Sequence, residues 1–372
     1  MHFEDFLQSF QGLVESCPSE PLAPGSRYVV LSDLHMGDGG SGDDLAHNRA
    51  ILRNALREWY FARGYTLVLS GDVEELHKFK LAAIRRAWAP LYAIFDDFAA
   101  AGRLRKIVGN HDLALLRTAD YPYELVHGLS ILYGARRIFC FHGHQASRFF
   151  VKYNYISDFI VRYLAKPLHV KNTSISKDSR QRFKAERRIY RASKRLGIVS
   201  IAGHTHRPLF ESLSKYDSLR WAMESLLREY PDASSERRAE IADIIHIYRG
   251  EFERLKRKRR HGNDGRGLYE DSDYVIPCLF NSGCATGVGG FTVIELDGGS
   301  EASRGAAISL VHWAEEAGAK AYVQREALDR ISPGNGPWAR YTLRRDELES
   351  VFARIDLLGG NPDIEMMSRI AY

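Results

Sequence analysis

The sequence predicts an α/β fold built on a mostly parallel sheet. Two observations predict it: apolar, strand-like runs alternate with helix-like segments, and five of these runs end in side chains that can bind metal. Because the carboxyl ends of parallel strands meet at one edge of a sheet, these side chains should gather there. We therefore expect a polar rim at the ends of one sheet, and its simplest purpose is a dinuclear metal centre.

The alternation of strands and helices begins after an amphipathic lead-in over residues 1–25, which contains Pro21 and Pro24. The first elements expected are a strand at 28–31, a helix over 45–63, a strand at 66–69, a helix over 80–101 and a strand at 106–108. Further strands are expected at 137–141 and 198–201, with closing strands at 274–276, 291–294 and 308–311.

Two segments interrupt this rhythm, and we expect them to cover the site as a helical cap. Residues 148–195 carry aromatic side chains and then a helix with a basic face, and residues 213–265 have the pattern of a helical pair broken at Pro231. In chain order the predicted segments are a lead-in at 1–25, core at 26–147, the basic insertion at 148–195, core at 196–212, the cap insertion at 213–265, core at 266–314 and a C-terminal extension at 315–372.

The composition allows a full core and sets weak limits on function. The 372 residues are 45% hydrophobic and carry a formal net charge of +5, a surplus that suits an anionic substrate or surface. An acidic N-terminus and the lack of an apolar run as long as a membrane span predict a cytoplasmic protein, with peripheral attachment to a membrane as the alternative. The four cysteines are scattered, so reduced thiols are expected.

The first two polar clusters contain carboxylates. Asp33 and His35 are one residue apart, so at an extended strand end their side chains would point the same way and could bind one ion. A capped turn would be the simpler interpretation if this pair stood alone. Asp72 follows Gly71, and glycine permits the tight turn and close backbone approach that a carboxylate bridging two ions requires.

The third cluster combines a metal ligand with a catalytic pair. Asn110 supplies a neutral amide oxygen that suits a hard cation. His111 would point away from the ion of Asn110, so His111 and Asp112 are better interpreted as a catalytic pair in which Asp112 orients the imidazole. Alternatively, Asp112 caps a helix beginning at Leu113, and it could do both.

The last two clusters are His-x-His patterns at strand ends. His142 and His144 follow one apolar run, and His204 and His206 follow another. A lone histidine would more often be a core or surface residue, but two such patterns beside three other clusters favour metal ligands. For His144 two interpretations stay open: a residue that supports a metal ligand, and a plain loop residue. The isolated histidines are assigned no site role, and they are His47, His77, His127, His169, His246 and His312.

In order, the clusters are Asp33-x-His35, Gly71-Asp72-x-x-Glu75, Gly109-Asn110-His111-Asp112, His142-Gly143-His144 and Gly203-His204-x-His206. This series resembles the calcineurin-like metallophosphoesterase superfamily over residues 27–210. The resemblance implies a four-layer αββα sandwich, here with helical cap insertions, and a dinuclear site at the sheet edge. By position, one ion would be held by Asp33, His35, Asp72 and His206, and the other by Asp72, Asn110, His142 and His204.

The chemistry that the resemblance implies is phosphoester hydrolysis. Two divalent ions about 3.5 to 4 Å apart would lower the pKa of a shared water, whose hydroxide attacks phosphorus in line with the leaving oxygen. His111 would then stabilise the developing charge or protonate the leaving group. Ligands that are only oxygen and imidazole admit several metals, of which we expect manganese, with iron, zinc or cobalt as alternatives.

Motif details narrow the substrate class. The second and third clusters depart from Ser/Thr protein phosphatases, which have Asp-Arg where Glu75-Leu76 stands here and Glu where Asp112 stands. The nearest motifs are those of bacterial UDP-2,3-diacylglucosamine pyrophosphatases, which usually have Arg in place of His111 and Asp in place of His144. We expect a hydrolase of a phosphodiester or pyrophosphate bond, with a UDP-sugar lipid as one candidate substrate. The alternatives are a nucleotide or nucleic-acid phosphodiesterase and, disfavoured because every ligand is present, a non-catalytic scaffold.

The basic insertion offers the only sequence-based candidates for substrate contacts. Arg187, Arg188 and Arg191 lie on the charged face of its predicted helix. Such a face is as often simply solvated, and Glu186 partly offsets its charge. The expected partner is an anionic, phosphate-containing substrate; attachment to a membrane surface and binding of nucleic acid stay open, as does the oligomeric state.

Overall fold

A computed structural model shows two β-sheets packed against each other between layers of helices. It describes residues 3–146, 179–260, 275–300, 305–333 and 336–359. One sheet has eight strands and the other has seven. The four-layer αββα sandwich implied by the sequence motifs is confirmed, and the expectation that all five polar clusters end strands of a single sheet is wrong.

The helices are α1 (Phe3–Ser16), α2 (Arg49–Asn54), α3 (Leu81–Ala87), α4 (Ala89–Ala100), α5 (Ser179–Leu196), α6 (Lys215–Glu229), α7 (Ser235–Arg260), α8 (Ala321–Glu326) and α9 (Leu348–Leu358). The strands are β1 (Ser19–Pro21), β2 (Arg27–Leu31), β3 (Thr66–Ser70), β4 (Leu104–Ile107), β5 (Leu125–Val126), β6 (Gly128–Tyr133), β7 (Arg136–Phe141), β8 (Val199–Ala202), β9 (Leu209–Phe210), β10 (Leu213–Ser214), β11 (Leu279–Asn281), β12 (Phe291–Asp297), β13 (Ala307–Glu315), β14 (Asp329–Ile331) and β15 (Trp338–Glu347).

The eight-stranded sheet has the order β14-β15-β13-β12-β2-β3-β4-β5. Strands β2 to β5 are parallel, with Leu31 opposite Leu69 and Leu69 opposite Lys106, and the closing strands are antiparallel. The first three polar clusters therefore leave adjacent parallel strands at the same edge. The seven-stranded sheet has the order β1-β6-β7-β8-β11-β9-β10, in which β7 and β8 are parallel neighbours and carry the two histidine clusters.

Alternating side chains of the central strands fill two separate cores. Val29 and Leu31 of β2 pack with α2 to α4 on the outer face of the eight-stranded sheet, whereas Val30 between them faces the core shared with the other sheet. Because both faces of β2 are buried, its residues 28–31 are continuously apolar, as expected for a parallel strand.

The described part of the predicted basic insertion is a core helix. In α5, Ala185, Ile189 and Ala192 are buried in the core that also contains Phe10 of α1 and Phe139 of β7. Helices α1 and α5 thus form the outer layer over the seven-stranded sheet, and residues 179–195 do not stand apart from the core as the predicted cap. Residues 148–178 lie outside the described residues.

Other predicted elements need smaller corrections. The predicted helix over 45–63 consists of a 3-10 turn, α2 and a π-helical turn at Ala55–Phe61. No strand forms at the described residues 275–276, and the strand beside β8 is β11 instead. The extension at 315–372 contributes β15 to the eight-stranded sheet and α9 to the core, since Val351 of α9 is buried there.

The predicted helical pair of the second insertion is present as α6 and α7. The break falls in a 3-10 turn at Tyr230–Asp232, which contains Pro231. The two helices contact each other, α6 contacts β10, and α7 contacts α8. None of the helices in the described ranges combines the length and apolar character that crossing a bilayer requires.

Candidate metal centre

The loops that carry the predicted ligands have an unusual backbone. Among the described residues, seven that are not glycine have a positive φ, and five of them are predicted ligands. Their φ angles are 54° at Asp33, 49° at His35, 53° at Asp72, 65° at His204 and 57° at His206. L-residues rarely adopt this left-handed conformation, and such strain is typical of functional sites. The predicted extended geometry at Asp33 and His35 is therefore wrong.

One group of ligand atoms is formed by Asp33, His35 and His206. His206 Nε2 lies 3.2 Å from Asp33 Oδ1 and 3.1 Å from His35 Nε2. The Asp33 carboxylate is fully buried and accepts hydrogen bonds from the amide of His204 at 2.9 and 3.1 Å. Two imidazole nitrogens and a carboxylate oxygen thus converge on one point, although they come from different sheets.

A second group is formed by Asp72, His142 and His204, with Asn110 beside it. His142 Nε2 lies 3.1 Å from Asp72 Oδ2 and 3.2 Å from Asn110 Oδ1. His142 Nδ1 donates a hydrogen bond of 3.0 Å to the carbonyl oxygen of Ser70. Because a carbonyl oxygen can only accept, Nδ1 carries a proton, and Nε2 is the nitrogen that faces the group and could bind a cation.

Asp72 lies between the two groups. Its Oδ2 is 3.1 Å from His142 Nε2 in the second group and 3.9 Å from His35 Nε2 in the first. Its Oδ1 accepts a hydrogen bond of 2.8 Å from the amide of His111, which fixes the plane of the carboxylate. The Asp72 carboxylate therefore lies within 4 Å of an imidazole nitrogen of each group.

The buried polar atoms of the site fit divalent cations. His204 Nε2 is buried and has no hydrogen-bond partner among the described residues. A buried polar atom without a partner is costly, and a cation bound at this nitrogen would remove that cost. The donors are carboxylate, amide and imidazole, a set that suits manganese, iron, zinc or cobalt.

The carboxylates of the site carry the negative charge that cation ligands need, and they shift the pKa values of the imidazoles beside them. Burial alone would raise the pKa of Asp33, but the neighbouring His206 lowers it to about 2. Burial opposes the charged form of His142, yet the Asp72 carboxylate raises the pKa of this imidazole to about 9. Burial lowers the pKa of His204 to about 3, with the neighbouring His142 acting in the same direction. The carboxylates are therefore anionic at neutral pH.

Two glycines allow the loops to approach each other. A Cβ atom at Gly109 would lie 2.2 Å from Asp72 Oδ1, and one at Gly203 would lie 2.6 Å from Asp33 Oδ2. Each glycine passes directly against a carboxylate ligand on another loop, so no side chain fits at either position.

The part of the chain that carries these residues matches the model of a known protein family. Residues 26–208 match the model of the calcineurin-like phosphoesterases. Through these residues, the chain belongs to the calcineurin-like phosphoesterase family. It is accordingly a metal-dependent phosphoester hydrolase by family. A search of curated proteins finds no match.

Two solved structures are similar at low scores. Yfce, a phosphoesterase from E. coli, is 13% identical, with 77% of this chain and 91% of that chain covered and a TM-score of 0.28. A conserved uncharacterized protein from Streptococcus pneumoniae TIGR4, a predicted phosphoesterase, is also 13% identical, with 50% and 65% covered and a TM-score of 0.21. Because both TM-scores are below 0.5, neither similarity bears on the fold or function of this phosphoesterase.

The carboxylate that orients His111 is Glu75 rather than Asp112. His111 Nδ1 donates to Glu75 Oε1 at 2.8 Å, and His35 Nδ1 donates to Glu75 Oε2 at 3.1 Å. Burial favours a raised pKa for Glu75, but the hydrogen bonds from His111 and His35 outweigh it and lower the pKa. One carboxylate therefore fixes the tautomer of a predicted ligand and of the predicted acid.

Asp112 has a different role from the one predicted. Its Oδ1 accepts a hydrogen bond of 2.6 Å from the amide of Gly109, and its Oδ2 accepts one of 2.9 Å from the amide of Val73. A 3-10 helix does begin at Leu113, but the Asp112 side chain makes no capping hydrogen bond to it. The buried carboxylate instead ties the third metal loop to the second.

His77 and Cys284 lie beside predicted site residues without having been predicted there, and His144, whose role was left open, is buried behind one of them. The His77 ring lies 4.3 Å from the ring of His111, centroid to centroid. Cys284 forms a hydrogen bond with His206; burial raises the pKa of the thiol, but His206 outweighs burial and lowers it. His144 is buried, with its ring centroid 5.4 Å from that of His142, which places it behind a ligand ring.

Arg188 and Arg191 of helix α5 contact other parts of the fold. Arg188 Nη1 donates a hydrogen bond of 2.7 Å to the carbonyl oxygen of Ala146, and the Arg191 guanidinium lies 4.7 Å from the ring centroid of Phe3 in α1. Helix α5 is also linked to the fifth cluster, because Glu186 accepts a hydrogen bond of 2.7 Å from Thr205. A substrate contact by Arg187, Arg188 or Arg191 stays a prediction.

Proposed function

We propose that this phosphoesterase uses two divalent metal ions to hydrolyse a phosphodiester or pyrophosphate bond. The observation that carries the proposal is the position of Asp72 between the imidazoles of His35 and His142, at 3.9 and 3.1 Å. A single cation would need only one of the two groups of donors. The presence of a shared carboxylate and a second, buried imidazole without a hydrogen-bond partner among the described residues supports two.

The proposed ligands divide between the two groups. The ions would be held by Asp33, His35, Asp72 and His206 on one side, and by Asp72, Asn110, His142 and His204 on the other. When bound, two such ions supply Lewis acidity toward the phosphoryl oxygens and a nucleophilic water at neutral pH. Manganese is our first choice of metal.

His111 is positioned to act on the leaving oxygen. Its Nδ1 proton is engaged by Glu75, so the reactive nitrogen is Nε2, which lies 4.0 Å from Asp72 Oδ2. The side chain is 21% exposed, whereas the neighbouring His142 is fully buried, so a substrate can reach His111. Protonated His111 would donate from Nε2 to the oxygen on which charge develops.

The substrate class is inferred from the motifs. A UDP-sugar lipid, which contains a pyrophosphate bond, is the first candidate, and the surplus of basic side chains suits any anionic phosphate compound. The presence of His111, where pyrophosphatases of lipid A synthesis usually have arginine, means that a smaller diester is the main competitor.

A panel of substrates tests the proposal. The full chain is stripped of metal, reconstituted with manganese, iron, zinc or cobalt, and assayed on bis-p-nitrophenyl phosphate, p-nitrophenyl phosphate, UDP-diacylglucosamine, cyclic nucleotides and single-stranded DNA. We expect diester or pyrophosphate hydrolysis that requires metal and is lost in Asp72→Asn. Preferential cleavage of the monoester would contradict the proposed bond type, and preferential cleavage of DNA would favour the nucleic-acid alternative. No hydrolysis with any metal would refute the proposal.

A further inference from the structure

A fully buried lysine lies beneath the proposed metal centre. Lys106 is on β4, the strand that leads into Gly109 and Asn110, and its side chain has no exposed surface. Its Nζ lies 2.8 Å from Glu74 Oε2 and 3.6 Å from Asp112 Oδ2. Buried lysines are rare, because an ammonium group loses its hydration unless charged partners replace it.

The two carboxylates that contact Lys106 belong to different metal loops. Glu74 follows Asp72 by two residues in the second cluster, and Asp112 follows Asn110 by two residues in the third. The Lys106 ammonium therefore joins the loop of the proposed bridging ligand to the loop of the proposed amide ligand. The hydrogen bonds that these two carboxylates accept come from the Lys106 ammonium, two tyrosine hydroxyls and two backbone amides, not from the side chains of predicted metal ligands.

Each carboxylate is held further by uncharged donors. Asp112 accepts from two backbone amides, those of Gly109 and Val73. Glu74 Oε1 accepts from the hydroxyls of Tyr92 at 2.9 Å and Tyr121 at 2.7 Å. The oxygens of both carboxylates therefore have hydrogen-bond donors. The Lys106 ammonium is the cation that faces both of them, and neither carboxylate has exposed surface. Without the ammonium, Glu74 and Asp112 would be two buried anions with no cation between them.

We propose that Lys106 is a positioning residue of the metal centre. Its ammonium holds Asp112 against the amides of Gly109 and Val73, and this contact sets the separation between Asp72 and Asn110. The inference rests on the proposed dinuclear site. It assigns a role in metal affinity to a lysine that touches neither metal nor substrate.

Four variants separate this role from general stability. Lys106→Met removes the ammonium. Glu74→Gln removes one carboxylate and leaves the ion pair between Lys106 and Asp112. The double variant Glu74→Gln/Lys106→Met removes both charges of the Lys106–Glu74 pair, and such a change is tolerated better than removal of one charge alone. Arg340→Met is the matched control, because Arg340 and Glu295 form another buried ion pair, 2.6 Å apart, on β15 and β12.

The measurements are the dissociation constants for Mn²⁺ by calorimetry on metal-free protein, thermal unfolding, and KM and kcat at saturating Mn²⁺. We expect Lys106→Met and the double variant to bind Mn²⁺ at least about tenfold more weakly, as is typical when groups that support a ligand are lost. Glu74→Gln and Arg340→Met should bind Mn²⁺ within about threefold of wild type, although Arg340→Met melts at a lower temperature. At saturating Mn²⁺, KM should be unchanged.

The outcomes decide the inference separately from the proposed function. If wild type binds none of Mn²⁺, Fe²⁺, Zn²⁺ and Co²⁺ in the same titration, the dinuclear site itself is refuted. If wild type binds two ions and the double variant binds them with wild-type affinity, Lys106 is merely structural and the inference is overturned. If Lys106→Met fails to fold, the double variant still decides, because it also leaves Asp112 without its cation. Equal losses of affinity in Arg340→Met would likewise overturn the inference.

Discussion

Replacing Glu75 by glutamine tests how the site orients its imidazoles. In the native protein, the two carboxylate oxygens accept hydrogen bonds from His111 at 2.8 Å and from His35 at 3.1 Å. An amide has one accepting oxygen and one NH2 group, so at most one imidazole keeps its acceptor. The other imidazole faces a donor and must rotate or change its tautomer.

The size of the effect follows from the two roles that Glu75 serves. Loss of a hydrogen bond that orients a metal ligand typically costs 10- to 100-fold in metal affinity or activity, which corresponds to roughly 1.4 to 2.8 kcal/mol. If the amide oxygen remains with His111, the loss falls on His35 and thus on metal affinity. If it remains with His35, the loss falls on His111 and thus on kcat at saturating metal.

The assay combines Mn²⁺ titration with steady-state hydrolysis of bis-p-nitrophenyl phosphate at saturating metal. Asp96→Asn is the matched control, because Asp96 accepts a hydrogen bond of 2.7 Å from Tyr123 rather than from a predicted ligand. We expect the control to behave as wild type in both measurements. Glu75→Gln with wild-type metal affinity and wild-type kcat would refute the assigned role of this carboxylate.

Three other perturbations probe separate parts of the structure. His111→Ala should keep metal content near wild type but slow hydrolysis by about 100- to 10,000-fold for poor leaving groups and less for activated aryl esters; equal losses would argue against proton donation. Gly109→Ala should abolish metal binding because its Cβ would lie 2.2 Å from a carboxylate oxygen, whereas Gly12→Ala, which meets nothing within 4 Å, should be harmless; calorimetry with Mn²⁺ checks both. Burial raises the pKa of Glu211 from 4.5 to about 7, and the neighbouring Asp346 acts in the same direction. Between pH 4.5 and pH 7, Glu211 is therefore protonated in the folded state and ionised in the unfolded state. The resulting stability, present below pH 4.5, should be lost as pH rises through 7, and chemical denaturation across this range should show no such loss in Glu211→Gln.

Short-range patterns were enough to predict the strands that end in ligands. Strand β2 begins within a residue of the predicted run at 28–31, because an apolar stretch followed by Ser32-Asp33 is typical of a buried strand that ends at a polar site. The seven ligands were predicted for the same reason, since each lies close behind such a run, and their role as ligands stays a prediction. The local pattern of an apolar run does not indicate which sheet the run joins. The division of the clusters between two sheets could therefore not be predicted from these patterns.

Residues that act through distant partners were harder to predict. Lys106 has no distinguishing local signal, and Glu75, although part of the second cluster, was assigned no role there. Both roles depend on side chains that the fold brings to these residues. Helix α5 was expected in a cap because of its charged face. The helical spacing of Ala185, Ile189 and Ala192 nevertheless indicates a second, buried face, which packs in the core.

The most direct test of the dinuclear centre is the number of metal ions bound per chain. Protein reconstituted with Mn²⁺ and freed of excess metal is analysed for its elements, in parallel with Asp72→Asn. The position of Asp72 between the two groups predicts two ions per chain in the wild type and fewer in the variant, with both proteins folded. At most one ion in fully reconstituted wild-type protein would contradict the two-metal mechanism.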